Sequence, residues 1–174
     1  MASVRKALAY SKRKVTPYTR TSKKKAKAFI KTLPPQKIVK FVMGKTNKIS
    51  HKLIVVAKEK AQVRDLALES CRQFINKKLE KDFNGQYVFR VVPFPHHIQR
   101  ENKMLTGAGA DRMQTGMQLS FGKTAGKAAI VKKDSPIFVF ETSNIKVIEV
   151  LRKVIKQVRP KLPLKIKVIY ERIL

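Results

Sequence analysis

Side-chain types that could do chemistry are concentrated in one run, residues 95–116. It carries two adjacent histidines and three cationic side chains: His96, His97, Arg100, Lys103 and Arg112. Adjacent histidines can supply half of a zinc site, but the chain has only one cysteine, one further histidine and no HExxH motif. We therefore expect neither a metal ion nor a cofactor here.

The sequence contains partial matches to two nucleotide-binding motifs, but neither is complete. Gly122-Lys123-Thr124 resembles the end of a phosphate-binding P-loop, but Met117 stands where that motif needs its first glycine. Gly107 and Gly109 have the spacing of a dinucleotide fingerprint, but Arg112 occupies its third glycine position. A nucleophile elbow is absent as well. The sequence predicts that this protein is not an enzyme.

The same run has the features of a loop that contacts a binding partner. Its apolar residues follow neither a strand nor a helix period, and four small residues, 107–110, would let the backbone approach a partner closely. Long loops without structure of their own are usually functional or disordered. We predict a long basic loop over residues 95–116 that reaches into a polyanion. The alternative is an ordinary mobile surface loop.

Charge dominates the composition of this 174-residue chain, whose 40 Lys and Arg against 11 Asp and Glu give a net charge of +29. A 43% hydrophobic content is enough for a core, and no apolar run is long enough to cross a membrane. The first 58 residues contain seventeen of the bases and no acid. Such blocks are typical of tails that bind nucleic acid. We predict a cytoplasmic, RNA-bound protein.

Residues 1–36 form a predicted basic RNA-binding extension, expected to be a solvated tail when unbound. Cations can pair with phosphates and aromatic rings can stack on unpaired bases. The candidate side chains are Arg5, Lys6, Tyr10, Lys12, Arg13, Lys14, Tyr18, Arg20, Lys23, Lys24 and Lys25. Membrane binding is the weaker alternative, because the lysine-rich 23–31 segment offers only a short amphipathic helix.

Residues 37–174 are predicted to form one α+β domain: a mixed or antiparallel sheet with two helices packed on one face. Strands are predicted at 38–43, 52–57, 87–94, 117–121, 127–132, 137–141 and 164–170, with 127–132 and 137–141 as a hairpin. The first helix, 61–82, ends at Asn84-Gly85, and the second follows N-cap oxygens in 142–144. The predicted apolar stripes are Val63, Leu66, Ala67, Phe74, Ile75 and Leu79, then Val147, Ile148, Leu151, Val154, Ile155 and Val158.

The run 95–123, PHHIQRENKMLTGAGADRMQTGMQLSFGK, closely resembles a known family. This is the universal large-subunit ribosomal protein numbered sixteen in bacteria and ten in eukaryotes, in its archaeal–eukaryotic form. Further matches flank the run at 18–20, 35–38, 43–44, 65–69 and 76–77.

The resemblance implies a structural constituent of the large ribosomal subunit that binds its rRNA beside neighbouring ribosomal proteins. The family's loop, matching residues 100–114, points toward the tRNA acceptor end near the peptidyl-transferase centre. The residues implied near tRNA are Asn102, Lys103, Met104, Thr106, Gly107, Ala108, Gly109, Ala110, Asp111 and Arg112. His96, His97, Arg100 and Lys123 would join the extension in contacting rRNA.

Two other functions are weighed beside this one. An RNA-cleaving or RNA-modifying enzyme could use His96, His97 and Asp111. A free RNA chaperone would bind unrelated RNAs without enrichment in large subunits.

Overall fold

The structure is a computed structural model that describes residues 8–12, 16–19, 30, 32–46, 48–101 and 122–173. Its helices are α1 Leu8–Ser11, α2 Asp65–Phe83 and α3 Ile145–Val158, with a 3-10 turn at Arg159–Lys161. Its strands are β1 Val42–Lys45, β2 His51–Ala57, β3 Ala61–Arg64, β4 Tyr87–Val91, β5 His97–Glu101, β6 Lys123–Val131, β7 Pro136–Thr142 and β8 Ile166–Arg172. The predicted α+β class is confirmed. In the part of the chain that is described, no helix has the length and apolar character of a membrane span.

Five strands form an antiparallel sheet in the order β1-β4-β7-β2-β8. Its register aligns Met43, Phe89, Phe140 and Leu53 across four strands. Cross-strand neighbours share a face of the sheet, and all four of these side chains are buried. The rings of Phe89 and Phe140 stack with centroids 4.6 Å apart. This row forms the centre of the hydrophobic core.

Helices α2 and α3 pack against each other. Helix α2 also contacts β4, and helix α3 also contacts β2 and β7. All six residues of the predicted α3 stripe are buried. The predicted N-cap is confirmed, because Asn144 Oδ1 accepts a hydrogen bond from the backbone N–H of Lys146 at 3.0 Å. Gly85 ends α2 with φ +79°, as predicted.

Three further strands form a second antiparallel sheet in the order β3-β6-β5. One face belongs to the hydrophobic core and includes Val63 and Ala129. The other carries Gln62, His97 and Gln99, which are polar yet buried. Buried polar groups need hydrogen-bond partners and a covering layer, so this polar face leads to the candidate site.

The predicted first helix begins too early. Ala61–Arg64 is a strand paired with β6, and Arg64 has extended backbone angles immediately before α2. Val63 is therefore buried by pairing with Ala129, while Leu66 is exposed. The helical spacing of these apolar residues was also compatible with a short strand, so periodicity alone could not separate the two.

The predicted hairpin is also wrong. A turn at 132–135 does reverse the chain, with Asp134 at φ 61°. However, β6 pairs in the three-stranded sheet while β7 pairs in the five-stranded one. The turn is fixed to the end of β2, since Asp134 N–H donates to Ala57 O at 2.8 Å and Ala57 N–H donates to Ser135 O at 3.0 Å. Strand patterns do not specify the partner strand.

Other boundaries shift as well. Residues 97–101, predicted as loop, form β5, because they pair with β6. The strand predicted at 38–43 is β1 at Val42–Lys45, the strand predicted at 87–94 ends at Val91, and the last strand is Ile166–Arg172. The predicted strand 117–121 lies outside the described residues.

Candidate nucleic-acid interface

The described parts of the extension pack against the three-stranded sheet, with Tyr18 at the free edge of β5. Tyr18 makes two hydrogen bonds there: its N–H donates to His97 Nδ1 at 3.0 Å, and its carbonyl accepts from Ile98 N–H at 2.8 Å. Helix α1 contacts β3, and Ser11 is buried. These parts of the extension are thus docked on the domain. A solvated tail was expected here instead.

Two arginines are held against the tyrosines of the extension. The guanidinium of Arg100 lies 3.8 Å from the ring centroid of Tyr18, and that of Arg64 lies 5.2 Å from the ring of Tyr10. Both distances are within the range of cation–π attraction. Arg64 Nε also donates to Gln99 Oε1 at 3.0 Å. The contacts fix two charges in place at the surface where the extension meets the sheet.

The buried amides of Gln62 and Gln99 on the polar face are hydrogen-bonded to each other and to Arg64. Gln99 Nε2 donates to Gln62 Oε1 at 3.3 Å, and Gln99 Oε1 accepts from Arg64. Among the described side chains, none is left with a buried nitrogen or oxygen atom lacking a partner. A network that is fully hydrogen-bonded is rigid, so Arg64 is positioned rather than freely mobile.

His97 is held as an acceptor. Burial lowers the pKa of His97, and the nearby Arg100 charge lowers it further. Because Nδ1 accepts the Tyr18 N–H, the neutral ring carries its proton on Nε2. His96 is exposed and contacts Phe94 instead, with ring centroids 4.5 Å apart. The two histidines therefore have different neighbours and do not form a paired ligand set.

The ends of β5 and β6 lie side by side, where the segment that includes the predicted loop leaves the sheet and returns to it. Glu101 and Lys123 are Cα partners, and a bulge leaves Ala125 without an opposite residue between Gln99 and Arg100. Bulges bend a strand and redirect its side chains. Residues 102–121, which include the predicted tRNA-proximal loop, lie outside the described residues.

Two contacts join β6 to the end of the extension. Thr124 Oγ1 donates to Thr32 O at 3.1 Å, and Lys127 Nζ donates to Gln36 Oε1 at 3.5 Å. Nearby, Lys37 N–H donates to Oδ2 of the buried Asp65 at 3.0 Å. The end of the extension is thereby tied to both β6 and the start of α2.

The predicted site residues that are described fall into two groups. Tyr10, Tyr18, His97, Arg100 and Lys123 lie on or against the three-stranded sheet. Lys12 and His96 lie apart: Lys12 Nζ is 3.8 Å from Glu59 Oε2 in an ion pair, and the His96 ring contacts Phe94. The predicted residues outside the description are Arg5, Lys6, Arg13, Lys14, Arg20, Lys23, Lys24, Lys25 and those of the loop from Asn102 to Arg112.

Sequence reasoning missed Arg64 and Lys127. Arg64 was assigned to a helix, where it would have been one of many surface charges, and Lys127 to a hairpin strand of no special role. A signal for Arg64 existed in the order Ala61-Gln62-Val63-Arg64, where apolar and polar residues alternate as in a half-buried strand.

Fold and surface together define a small basic α+β protein whose cations are arranged around a docked aromatic extension. Among the described residues, no cluster of three or more His, Cys, Asp or Glu could hold a metal ion. Arginine side chains of this kind can pair with anions, and aromatic side chains can stack on nucleotide bases.

Comparison with known proteins identifies the family. The model of the family described as ribosomal protein L16p/L10e matches residues 13–169. A protein of Sulfolobus acidocaldarius named large ribosomal subunit protein uL16 is 39% identical over 80% of this chain and 81% of its own length. Its namesake from Pyrobaculum neutrophilum is 37% identical over 97% of this chain and 92% of its own length. A third, from Methanoculleus marisnigri, is 44% identical over 64% of this chain and 66% of its own length.

The chain belongs to the L16p/L10e family of ribosomal proteins. This family is a structural constituent of the large ribosomal subunit and not a family of enzymes, so the protein is a component of cytoplasmic ribosomes. The resemblance found in residues 95–123 is confirmed.

Proposed function

We propose that this protein binds large-subunit rRNA through the docked extension and the three-stranded sheet, and supports tRNA positioning with the loop that leaves from β5. The observation that carries the proposal is the placement of Arg64 and Arg100 against Tyr10 and Tyr18. Neighbouring ribosomal proteins are further partners. The enzyme alternative loses support, since His97 is buried and its Nδ1 is engaged by Tyr18.

Charge supports RNA as the partner. A net charge of +29 in a 174-residue chain opposes compaction unless a polyanion neutralises it. Arg64, Arg100, Lys123 and Lys127 all belong to the three-stranded sheet, against one acid of that sheet, Glu101.

The paired ends of β5 and β6 support the tRNA part of the proposal. Because Glu101 and Lys123 are paired, the segment between them leaves and returns at one point of the sheet. A loop mounted on paired strands is aimed by a rigid base, which is how binding loops are commonly positioned. Its Lys103 and Arg112 would contact phosphates of the acceptor end, and its small residues would allow close backbone approach.

The first test is binding to deproteinised large-subunit rRNA across a salt series. We expect a steep loss of affinity with salt, since each phosphate neutralised releases counterions. The triple variant Arg100→Gln, Lys123→Gln, Lys127→Gln should weaken binding and flatten the salt slope by about 0.7 per contact removed. The matched control, Lys146→Gln, Lys153→Gln, Lys156→Gln, removes equal charge from the exposed surface of α3 and should change binding little. Equal losses in both triple variants would contradict a specific interface.

The second test addresses tRNA. Subunits assembled with the Lys103→Ala, Arg112→Ala variant should sediment normally yet bind peptidyl-site tRNA more weakly. Normal tRNA binding would remove the loop from the proposal while leaving rRNA binding intact. Broad binding to unrelated RNAs, with no preference for large-subunit rRNA, would favour the chaperone alternative.

A further inference from the structure

An aromatic ledge stands beside the interface and is not used by it. Phe41 and Phe94 stack with centroids 5.2 Å apart and planes at 25°, and His96 contacts Phe94 at 4.5 Å and 45°. Phe94 is 43% exposed. His96 is also exposed, whereas Phe41 is partly buried against the core. Three aromatic rings are thus in contact, and two of them are exposed to solvent.

Backbone contacts hold this ledge in place. Phe41 O accepts from Val91 N–H at 2.8 Å, and Val92 N–H donates to Ile137 O at 3.0 Å, which anchors the chain on both sides of β4. Pro95 is buried between the exposed Phe94 and His96. This alternation directs both exposed rings away from the core. The ledge is therefore preorganised, which lowers the entropic cost of binding.

Surrounding charge indicates the occupant. Lys40 is exposed and precedes Phe41, while the segments 32–46 and 84–100 contain no Asp or Glu. The nearest described ion pair joins Arg90 to Glu141 on the adjoining strand at 3.1 Å. An aromatic surface with an exposed lysine next to it in the chain suits a nucleotide, whose base stacks while its phosphate pairs with a cation.

The ledge also adjoins the proposed interface along the chain. His96 is followed directly by His97, whose ring accepts from Tyr18 of the docked extension. RNA that contacts Tyr18 and Arg100 would therefore pass within one residue of the ledge along the chain. A protein neighbour is the competing occupant, since the exposed valines Val39 and Val92 each stand two residues before a phenylalanine of the ledge.

We propose that Phe94 and His96, supported by Phe41, form a stacking platform for one unpaired base of RNA, with Lys40 beside it for a phosphate. The proposal rests on the proposed function, RNA binding by this protein, and adds a contact to an unpaired nucleotide. Base stacking tolerates any base, so the platform recognises an unstacked conformation rather than a sequence.

A fluorescence reporter tests this directly. The chain contains no tryptophan, so Phe94→Trp introduces a single one on the platform. Titration with deproteinised large-subunit rRNA should quench its emission, because a stacked base contacts the indole. The control is Ile145→Trp, also at an exposed position, at the start of α3. Ile145 lies near the opposite end of β4 from Phe94. It follows Thr142, which pairs with Tyr87 at the start of β4, whereas Phe94 follows Val91 at its end. Its emission should change little.

Affinity provides the second readout. Phe94→Ala should weaken rRNA binding about five- to 150-fold, the range measured for removing a base-stacking ring. Phe94→Leu, which keeps apolar volume but not the flat ring, should weaken it similarly, and Phe94→Tyr should retain it. Thermal unfolding of each variant verifies that the fold persists, and Phe94→Leu covers the case in which Phe94→Ala does not fold.

The outcomes separate the two proposals. If Phe94→Leu binds rRNA like the unchanged protein and Phe94→Trp is not quenched, the platform is wrong. Proposed rRNA binding then still stands if the Arg100, Lys123 and Lys127 variant is weakened. If the unchanged protein shows no preference for large-subunit rRNA, the proposed function fails. Quenching by single-stranded RNA, but not by a duplex of equal length, would still support the platform in that case.

Discussion

The backbone N–H of Tyr18 donates a hydrogen bond to Nδ1 of His97 at 3.0 Å, joining two residues 79 positions apart. The bond requires a neutral His97, because a protonated ring has no acceptor. It links the basic extension to β5, the strand that leads into the long loop. Whatever orders the extension therefore also acts on the base of that loop.

Acidification should weaken this link. Burial, and then the Arg100 charge, lowers the pKa of His97 below its ordinary value of 6.5. Below that value the unfolded chain takes up the proton before the folded one, so this contribution to stability is complete above about pH 7 and is lost as pH falls through the folded-state pKa. We expect the free energy of unfolding, measured with urea between about pH 5 and pH 8, to fall on the acid side.

The matched variants for this prediction are His97→Asn and His96→Asn. Asn Oδ1 can accept the Tyr18 N–H but does not titrate, so His97→Asn should flatten the pH dependence. His96 is exposed and makes no hydrogen bond through its ring among the described contacts, so His96→Asn should retain the slope. An unchanged slope in His97→Asn would assign the effect to another group.

Removing the Tyr18 ring should release the extension from the sheet. Tyr18→Ala deletes the surface under the Arg100 guanidinium, an attraction of about 1 to 2 kcal/mol when partly desolvated. Hydrogen exchange at Ile98, whose N–H donates to Tyr18 O, should then become roughly five- to thirtyfold faster if that bond opens more often. Tyr18→Phe keeps the ring and should exchange more slowly than Tyr18→Ala. Equal rates in all three proteins would show that the backbone bonds alone hold the extension.

Helix α3 shows what sequence can predict. Its stripe from Val147 to Val158 is strictly helical in period, begins at an N-cap and is followed by Pro160, and all six predicted core residues are buried. Each local signal agreed with the others, and packing against the sheet had nothing to override. The family was equally predictable from the sequence, because the motif over residues 95–123 is long and distinctive.

Strand β3 and the docked extension show what it cannot predict. Four residues, Ala61–Arg64, are too few for periodicity to decide between helix and strand, and their burial depends on pairing with β6. The contacts of Tyr18 depend on His97 and Arg100, far away in sequence. No local pattern encodes such partners. The sequence therefore indicates which residues are basic and aromatic, but not that they meet at one sheet.

Cys71 should be unreactive while the protein is folded. It is fully buried, and burial raises the pKa of its thiol to about 12, so almost no thiolate exists near neutral pH. We expect no reaction with a thiol reagent in native buffer and one equivalent per chain in denaturant, since the chain has a single cysteine. Fast native labelling would mean that α2 opens readily.

Gly44 should be the least replaceable glycine of those described. It adopts φ +76°, and a Cβ there would collide with the backbone oxygen of Tyr87, on the strand paired with β1. Because that oxygen belongs to backbone, it cannot move aside as a flexible side chain would. Gly44→Ala should lower the free energy of unfolding by about 2 to 4 kcal/mol, measured with urea.

Gly85 provides the control for that prediction. Its φ of +79° is nearly the same, but nothing lies within 4 Å of a Cβ built there. Gly85→Ala thus carries the conformational strain without the collision and should cost about 1 kcal/mol. The difference between the two variants isolates the close approach of β1 to β4. Equal costs would mean that the sheet edge relaxes around the new methyl group, and that β1 is held less firmly than its pairing with β4 indicates.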